Sequence, residues 1–149
     1  MRVEDLEVYK KLFQLALEVH ELTMTFPKFE LYELGSQLRR SSNSAPANLS
    51  EGFGNKHTNI YLEGISRSQG EIRETMHHLR IANAKKYLTN ENLNIFINRY
   101  EKCSKMIYGL EQSLSRTQEE GTVSSNFNLS TQNLQHIIVR LYKTNNHLK

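Results

Sequence analysis

The sequence predicts an all-α protein: an antiparallel up-down four-helix bundle with a C-terminal linker and a short fifth helix or tail. Only two prolines and seven glycines occur in 149 residues, whereas the helix-favouring residues leucine, lysine, glutamate and glutamine are common. Four segments carry apolar residues at steps of three and four, and short connections join them. A more open helical array, completed by other subunits, is the alternative architecture.

The first predicted helix covers residues 4–25. Its acidic first turn suits the positive end of the helix dipole. Phe26-Pro27 ends the helix, because a residue before proline avoids the α conformation. The apolar positions, most of which share one face, are Leu6, Tyr9, Leu12, Phe13, Ala16, Leu17, Val19 and Leu22.

The second predicted helix begins within residues 28–31 and ends near Glu51. Its first half is rich in leucine, whereas its second half contains serine and alanine, which allow another backbone or a second subunit to approach closely. Pro46 removes one helical hydrogen bond, to the carbonyl of Ser42, and favours a kink. A helix that breaks at Pro46 and restarts is the alternative. The Gly-Phe-Gly sequence that follows favours a helix end.

The third helix is predicted from Thr58 or Asn59 to about Lys86. Gly64 and Gly70 lie inside it, and each weakens a helix by about 1 kcal/mol relative to alanine. We therefore expect both glycines to make room for side chains from elsewhere in the fold.

The fourth predicted helix is capped by a polar residue within 89–92 and ends near Arg116. The next residues, 117–129, are polar and have weak helix signals, which predicts a linker. Residues 130–149 contain apolar residues at helical spacing and are predicted to form a short fifth helix or a tail. The bundle domain is thus predicted to span residues 1–116.

The charge of the chain is mildly positive and unevenly distributed. A net charge of +3 permits contact with an acidic partner but is far from the basic load of a dedicated nucleic-acid binder. Acidic residues predominate in residues 1–38, and basic residues predominate in residues 39–86. This distribution indicates either complementary helix faces, within or between subunits, or a basic surface that meets phosphate.

The single cysteine and the lack of long apolar segments bear on the compartment. Cys103 alone excludes an intrachain disulfide and favours a reducing environment. The N-terminal sequence has no apolar core of a signal peptide, and no segment reaches the roughly 20 apolar residues that cross a bilayer. We expect a soluble, cytoplasmic protein without a membrane partner.

Adjacent Arg39 and Arg40 are the sharpest functional candidates. Neighbouring helical residues point about 100° apart, so one arginine can face inwards while the other faces outwards. An inward arginine needs a carboxylate partner, for which Glu51 and Glu74 are available. An outward arginine can meet phosphate.

A wider set of cations provides candidates for contact with nucleic acid or with another subunit. They are Arg39, Arg40, Arg67, Arg73, Arg80, Lys85 and Lys86. Glutamates interleave with those on the third helix, so one subunit is a weak binder by this count. A structural polar corner that holds the loop after the second helix is predicted from Asn48, Glu51 and Glu74.

No catalytic or metal site is predicted. Glu74 and His77 have the Glu-x-x-His spacing of carboxylate-bridged di-iron bundles, but such a site needs this motif on two helices, and the chain has no second one. A dinucleotide fingerprint follows a strand, whereas Gly52-x-Gly54 follows a helix. Cys103 has no histidine in helical register to activate it. The sequence therefore predicts a protein that is not an enzyme and has no cofactor.

The stretch from Tyr32 to Gly52 carries a recognisable pattern. Its key positions are Tyr32, Leu34, Gln37, Leu38, Arg39, Arg40, Ser41, Ser42, Ser44, Asn48, Glu51 and Gly52. The pattern resembles the bacterial four helix bundle protein family, also known as the 23S ribosomal RNA intervening-sequence proteins. The similarity extends over residues 4–115 and departs from the family pattern at Glu71 and Met76.

The resemblance implies a left-handed four-helix bundle that assembles into a ring, a homopentamer. It also implies a gene that is sometimes found inside ribosomal RNA intervening sequences. A distant branch of the family serves diversity-generating retroelements and binds nucleic acid and a reverse transcriptase. The first hypothesis is therefore a non-enzymatic, homo-oligomeric scaffold that binds RNA or DNA. The alternative is a protein-only interaction module, an accessory of a mobile element.

Overall fold

Four α-helices and two short 3₁₀ helices form the computed structural model, which describes the backbone of residues 1–145 and the side chains of residues 1–121. The 3₁₀ helices are Val3–Asp5 and Lys28–Leu31, and the α-helices are α1 (Glu7–Thr23), α2 (Leu34–Gly52), α3 (Thr58–Ala84) and α4 (Asn90–Asn145). No β-strand occurs in the described backbone. The fold is an all-α four-helix bundle, as the sequence predicts.

The bundle lies in a first compact unit, Met1–Gln112, and a second unit begins at Ser113. Each helix of the first unit contributes buried apolar side chains at the helical repeat. The almost fully buried ones include Leu12, Leu15, Val19, Leu38, Leu49, Ile65, Ile72, Leu79, Tyr100 and Ile107. Phe13 and Leu17, which the sequence analysis counts among the apolar positions of α1, are each 51% exposed. A rotation of about 100° per residue carries them away from the buried face.

Helices α2 and α3 approach each other through small residues. Ser68 Oγ donates a hydrogen bond to the carbonyl of Ala45 at 2.7 Å, and Thr75 Oγ1 donates one to Ser41 Oγ at 2.9 Å. The paired positions run in opposite directions along the two helices, so the helices are antiparallel. Pro46 lies inside α2, which is continuous, so the helix does not break and restart there. The small residues of α2 serve a crossing within the chain.

Gly64 lies at the point where the backbones of α2 and α3 are in contact. A Cβ atom on Gly64 would stand 2.7 Å from the carbonyl oxygen of Asn48 and 3.0 Å from Gly52 Cα. Gly64 therefore makes room for a neighbour, as expected, but that neighbour is the backbone of α2 and not the side chain that the sequence predicts. The same expectation is wrong for Gly70, where an added Cβ would meet no described atom within 4 Å.

The turn after α3 places a lysine where a glycine is usual. Lys86 has a φ angle of 65°, in the left-handed region that non-glycine residues rarely adopt. The amide of Tyr87 donates to the carbonyl of Ala82 at 2.9 Å, and the amide of Lys86 donates to that of Asn83 at 2.8 Å. These two bonds form a Schellman-type helix end. Lys86 thus has a backbone role in addition to its charge.

The fourth helix continues past its predicted end near Arg116 and reaches Asn145. The predicted linker, residues 117–129, is helical in the structure. No proline interrupts this segment, and a glycine such as Gly121 costs a helix only about 1 kcal/mol. Side chains after this glycine and residues 146–149 lie outside the described part, so the division into bundle, linker and tail stays a prediction.

Candidate functional site

Arg39 faces inwards, as one of the two adjacent arginines is expected to do, but its partners are not carboxylates. Its Nη1 donates to Thr23 Oγ1 at 3.0 Å, and its Nη2 donates to the carbonyl of Leu31 at 2.5 Å. The prediction of Glu51 or Glu74 as the inward partner is therefore wrong. Because the guanidinium is only partly buried, neutral oxygens are sufficient partners. Arg39 fastens the connection between α1 and α2.

Arg40 faces outwards and pairs with Glu74, one of the two carboxylates predicted as partners of the inward-facing arginine. The Arg40 side chain is 73% exposed, and its Nη2 lies 3.4 Å from Glu74 Oε1. The same oxygen lies 3.4 Å from Nε2 of His78, so Glu74 contacts this histidine and not the His77 of the Glu-x-x-His spacing. Such an exposed pair contributes little to stability, and Arg40 stays accessible to a partner.

The structure brings together only part of the predicted polar corner. Asn48 and Glu51 both line a small cavity of about 190 Å³ at the α2–α3 connection, beside Gly64. The Asn48 amide donates to the carbonyl of Ser44 at 3.0 Å within its own helix. Glu74 lies ten residues beyond Gly64 along α3, a rise of about 15 Å, and does not belong to this corner.

Lys85 is held by a buried carboxylate that the sequence analysis did not single out. Glu30 is 1% exposed, and its Oε1 accepts hydrogen bonds from Lys85 Nζ at 2.6 Å and from Tyr87 OH at 3.1 Å. Its Oε2 accepts one from the amide of Leu34 at 3.2 Å, at the start of α2. The bond from Lys85 holds the pKa of Glu30 below its ordinary value. The position of a glutamate four residues before the first residue of α2 is the one signal that could have indicated this cap.

The contacts with Glu30 also raise the pKa values of its two side-chain donors, Lys85 and Tyr87. The hydrogen bond to Glu30 raises the pKa of Lys85, and burial, followed by the bond to Glu30, raises that of Tyr87. All three shifts favour the charged carboxylate with protonated donors. Lys85 therefore joins the α3–α4 connection to the α1–α2 connection, and its charge is not freely available to phosphate.

The remaining candidate cations lie on α3 and at its end. Arg67 pairs with Glu63, one turn earlier, at 2.5 Å. Arg73, Arg80 and Lys86 are exposed, and their side chains make no ion pair or hydrogen bond to the described residues. Arg73 and Arg80 share one face of α3 with exposed His77, because these residues are four and three positions apart. We call Arg73 and Arg80 the α3 cationic stripe.

Large apolar side chains are exposed on α1 and on the connection that follows it. Phe13 and Leu17 lie one turn apart on α1, and the ring of Tyr9 stands 6.1 Å from that of Phe13. Met24 and Tyr32, on the connection, are 57% and 84% exposed. We call this set, with Phe29 at 69% exposure, the α1 apolar face. Exposed apolar side chains at helical spacing, such as Phe13 and Leu17, are candidates for an interaction surface.

Two further properties of the described residues bear on chemistry. Among them, no three His, Cys, Asp or Glu side chains are grouped so that they could hold a metal ion. None of the helices searched in that part of the chain combines the length and the apolar character that crossing a membrane requires.

Comparison with known protein families gives a match over most of the chain. The family model described as 23S rRNA-intervening sequence protein matches residues 4–109. This span contains α1, α2, α3 and the beginning of α4, together with all the candidate cations. It ends shortly before the second compact unit begins at Ser113. No curated protein matches the chain.

Proposed function

The chain belongs to the 23S rRNA-intervening sequence protein family, and on that premise we propose that it is a non-enzymatic, homo-oligomeric scaffold that binds nucleic acid in the cytoplasm. The ligand in this proposal is RNA or DNA, as part of a ribonucleoprotein. Two surfaces of the first unit support it: the α3 cationic stripe for nucleic acid and the α1 apolar face for assembly.

The observation that carries the proposal is the exposure of Arg73 and Arg80 without a carboxylate partner among the described residues. These residues are two helical turns apart, about 10.5 Å along α3. Glu71 and Glu74 lie two positions before and one position after Arg73, but they project from other sides of the helix. Glu74 is engaged by Arg40 and His78. The stripe is therefore able to approach phosphates without first breaking an ion pair.

Two arginines per chain make a weak contact, and assembly compensates for this. In a ring of five copies, which the family resemblance implies, the stripe recurs five times. Repeated weak contacts on one long ligand raise the overall affinity, because each binding event holds the next site close to the ligand. The proposal thus needs both surfaces.

Charge reversal of the stripe tests the nucleic-acid part. Arg73→Glu with Arg80→Glu is expected to reduce binding of single-stranded and duplex RNA and DNA at low salt at least tenfold. The slope of log K against log salt should fall by about two per chain, since two phosphate contacts are lost. Fluorescence anisotropy over a salt titration measures both. Lys85 is unsuitable for this test, because Lys85→Glu would place a second carboxylate against Glu30.

The matched control is Lys28→Glu with Lys56→Glu, which makes the same change in net charge at exposed residues outside the stripe. It is expected to lower affinity much less. The proposal fails if the unaltered protein binds no nucleic acid at low salt, or if the two double variants lose affinity equally.

Removal of the α1 apolar face tests the assembly. Phe13→Ser with Leu17→Ser is expected to convert an oligomer into monomers at micromolar concentration, because it removes two exposed apolar side chains of the face. Light scattering coupled to size-exclusion chromatography measures the mass. Ile95→Ser with Tyr108→Ser is the control, since these residues are 49% and 59% exposed on α4. A monomeric unaltered protein would contradict the proposal.

A protein-only interaction module is the second candidate. It is favoured by one observation: four of the seven candidate cations already have partners within the chain. Arg39 binds a hydroxyl and a carbonyl, whereas Arg40, Arg67 and Lys85 each pair with a glutamate. A protein that assembles through the α1 apolar face but shows no nucleic-acid binding at low salt would support this alternative over the first proposal.

A further inference from the structure

A cavity of about 340 Å³ lies between α1 and α4 within the first unit, apart from both surfaces described above. Leu15 and Cys103, each 1% exposed, form its floor. Lys10, Lys11 and Lys102, which are exposed, lie around it together with half-buried Arg99. We call it the α1–α4 cavity. The family comparison and the sequence analysis assign nothing to it.

The cations around this cavity come together only in the folded chain. Two belong to α1 and two to α4, nearly 90 residues later in the sequence. Arg99 pairs with Glu18 through both of its terminal nitrogens, with Nη2 at 2.8 Å from Oε1. Lys10 lies 3.6 Å from Glu7 on the surface.

The side chains of Lys11 and Lys102 have no ion pair or hydrogen bond among the described residues. The cavity therefore carries an excess of positive charge that no side chain of the described fold neutralises. Like charges around one cavity repel each other. An anion in the cavity would turn this repulsion into attraction, which is a feature of a binding site.

The floor of the cavity is apolar and uncharged. Burial raises the pKa of the Cys103 thiol, although the charges of Lys11 and Arg99 oppose this shift. The methylene stems of the lysines extend the apolar wall, while their ammonium groups stay at the water. A nucleobase would need an aromatic platform for stacking, and no residue that lines the cavity is aromatic.

We propose that the α1–α4 cavity binds a small amphipathic anion of the acyl carboxylate class. Its carboxylate lies among the ammonium groups of Lys11 and Lys102, and its hydrocarbon chain lies on Leu15 and Cys103. The volume of the cavity is within the range of small-molecule sites, which are commonly apolar with a few placed polar groups. The site is independent of the α3 cationic stripe and of the nucleic-acid proposal.

Isothermal titration calorimetry with decanoate, below the concentration at which it forms micelles, tests the proposal. We expect one saturable site per chain in the full-length protein. Decanol, which lacks the charge, and inorganic phosphate, which lacks the chain, should each bind at least tenfold more weakly. Lys11→Ala with Lys102→Ala should weaken decanoate binding at least tenfold, and Gln14→Trp, which fills the cavity from an exposed position, should abolish it.

Lys56→Ala with Lys105→Ala is the matched control, because it removes two exposed lysines that do not line the cavity. It should leave decanoate affinity unchanged, as should Phe13→Ser with Leu17→Ser, which removes the other apolar surface. Circular dichroism of each variant verifies the helical fold.

Three results would overturn the inference. They are the absence of saturable decanoate binding, equal affinity for decanol or phosphate, and an equal loss in the Lys56–Lys105 control. If Lys11→Ala with Lys102→Ala abolished RNA binding and spared decanoate, the cavity would be a nucleic-acid contact and the proposal would be wrong. Failure of nucleic-acid binding alone leaves the decanoate result unaffected, so the two proposals are tested separately.

Discussion

Replacement of Gly64 by alanine is expected to lower the free energy of unfolding by about 2 kcal/mol. The added Cβ would stand 2.7 Å from the carbonyl oxygen of Asn48 and 3.0 Å from Gly52 Cα, and both are backbone atoms of α2. Backbone atoms in a helix cannot rotate aside, so α2 and α3 must separate along their crossing. Overpacking of this kind costs about 3 kcal/mol, near the upper end of its usual range. The better helix propensity of alanine returns about 1 kcal/mol.

Gly70→Ala is the matched control on the same helix, and the expected sign is opposite. An added Cβ there meets no described atom within 4 Å, so only the gain in helix propensity remains, up to about 1 kcal/mol. Denaturant unfolding followed by far-ultraviolet circular dichroism, at one protein concentration, measures both variants. Equal effects of the two substitutions would show that the crossing at Gly64 does not limit how closely α2 and α3 pack.

The two glycines also show what helical periodicity can predict. In the sequence, Gly64 and Gly70 are alike, because each is a residue of low helix propensity inside a long helical pattern. Periodicity identifies the face of a helix that is buried. It does not say which residues of that face meet a neighbouring backbone, because this depends on where two helices cross. The four helices of the bundle were therefore predictable, and the role of each glycine was not.

The C-terminal part shows the limit of composition as a guide. Residues 117–129 are mostly polar and include Gly121 and the pair Ser124-Ser125, and these features predict a linker. Weak propensity lowers the stability of a helix without preventing its continuation, whereas proline would end it. Because the second unit contains no proline, helix α4 extends past Arg116 to Asn145.

Some features of the candidate site were likewise predictable from the sequence, and others were not. The inward direction of one of the adjacent residues Arg39 and Arg40 and the outward direction of the other follow from helical geometry and were predictable. Their partners were not, because Thr23 ends α1 and Leu31 lies in the connection before α2, whose path the sequence does not reveal. The contact between Glu30 and Lys85 joins residues from two different connections, and no local pattern relates them. The net charge of each region of the sequence also gave no indication of the α1–α4 cavity, because two of its lysines lie in the N-terminal region, where acidic residues predominate.

Glu30→Gln is expected to lower the melting temperature by several degrees near neutral pH, more than any exposed charge substitution nearby. It leaves Lys85 and Tyr87 without their charged acceptor, and one amide hydrogen must face a donor where the carboxylate accepted bonds. Glu33→Gln removes the same charge three residues later, at an exposed position. Its effect should be small. Thermal unfolding by circular dichroism compares the two, and equal shifts would contradict the role assigned to Glu30.

The pH dependence gives this prediction a second, independent readout. Because the pKa of Glu30 is lowered in the folded state, its stabilisation is complete above the ordinary value of 4.5 and is lost as the pH falls through the folded value. The pKa of Lys85 is raised, so its contribution is complete below 10.5 and is lost as the pH rises through its folded value. The bond to Glu30 also contributes to the raised pKa of Tyr87, whose ordinary value is 10.0. The difference between the unaltered protein and Glu30→Gln should therefore be constant from 4.5 to 10.0 and shrink towards either end. A difference that stays constant below the acidic limit would mean that the loss arises from altered packing and not from the charge of Glu30.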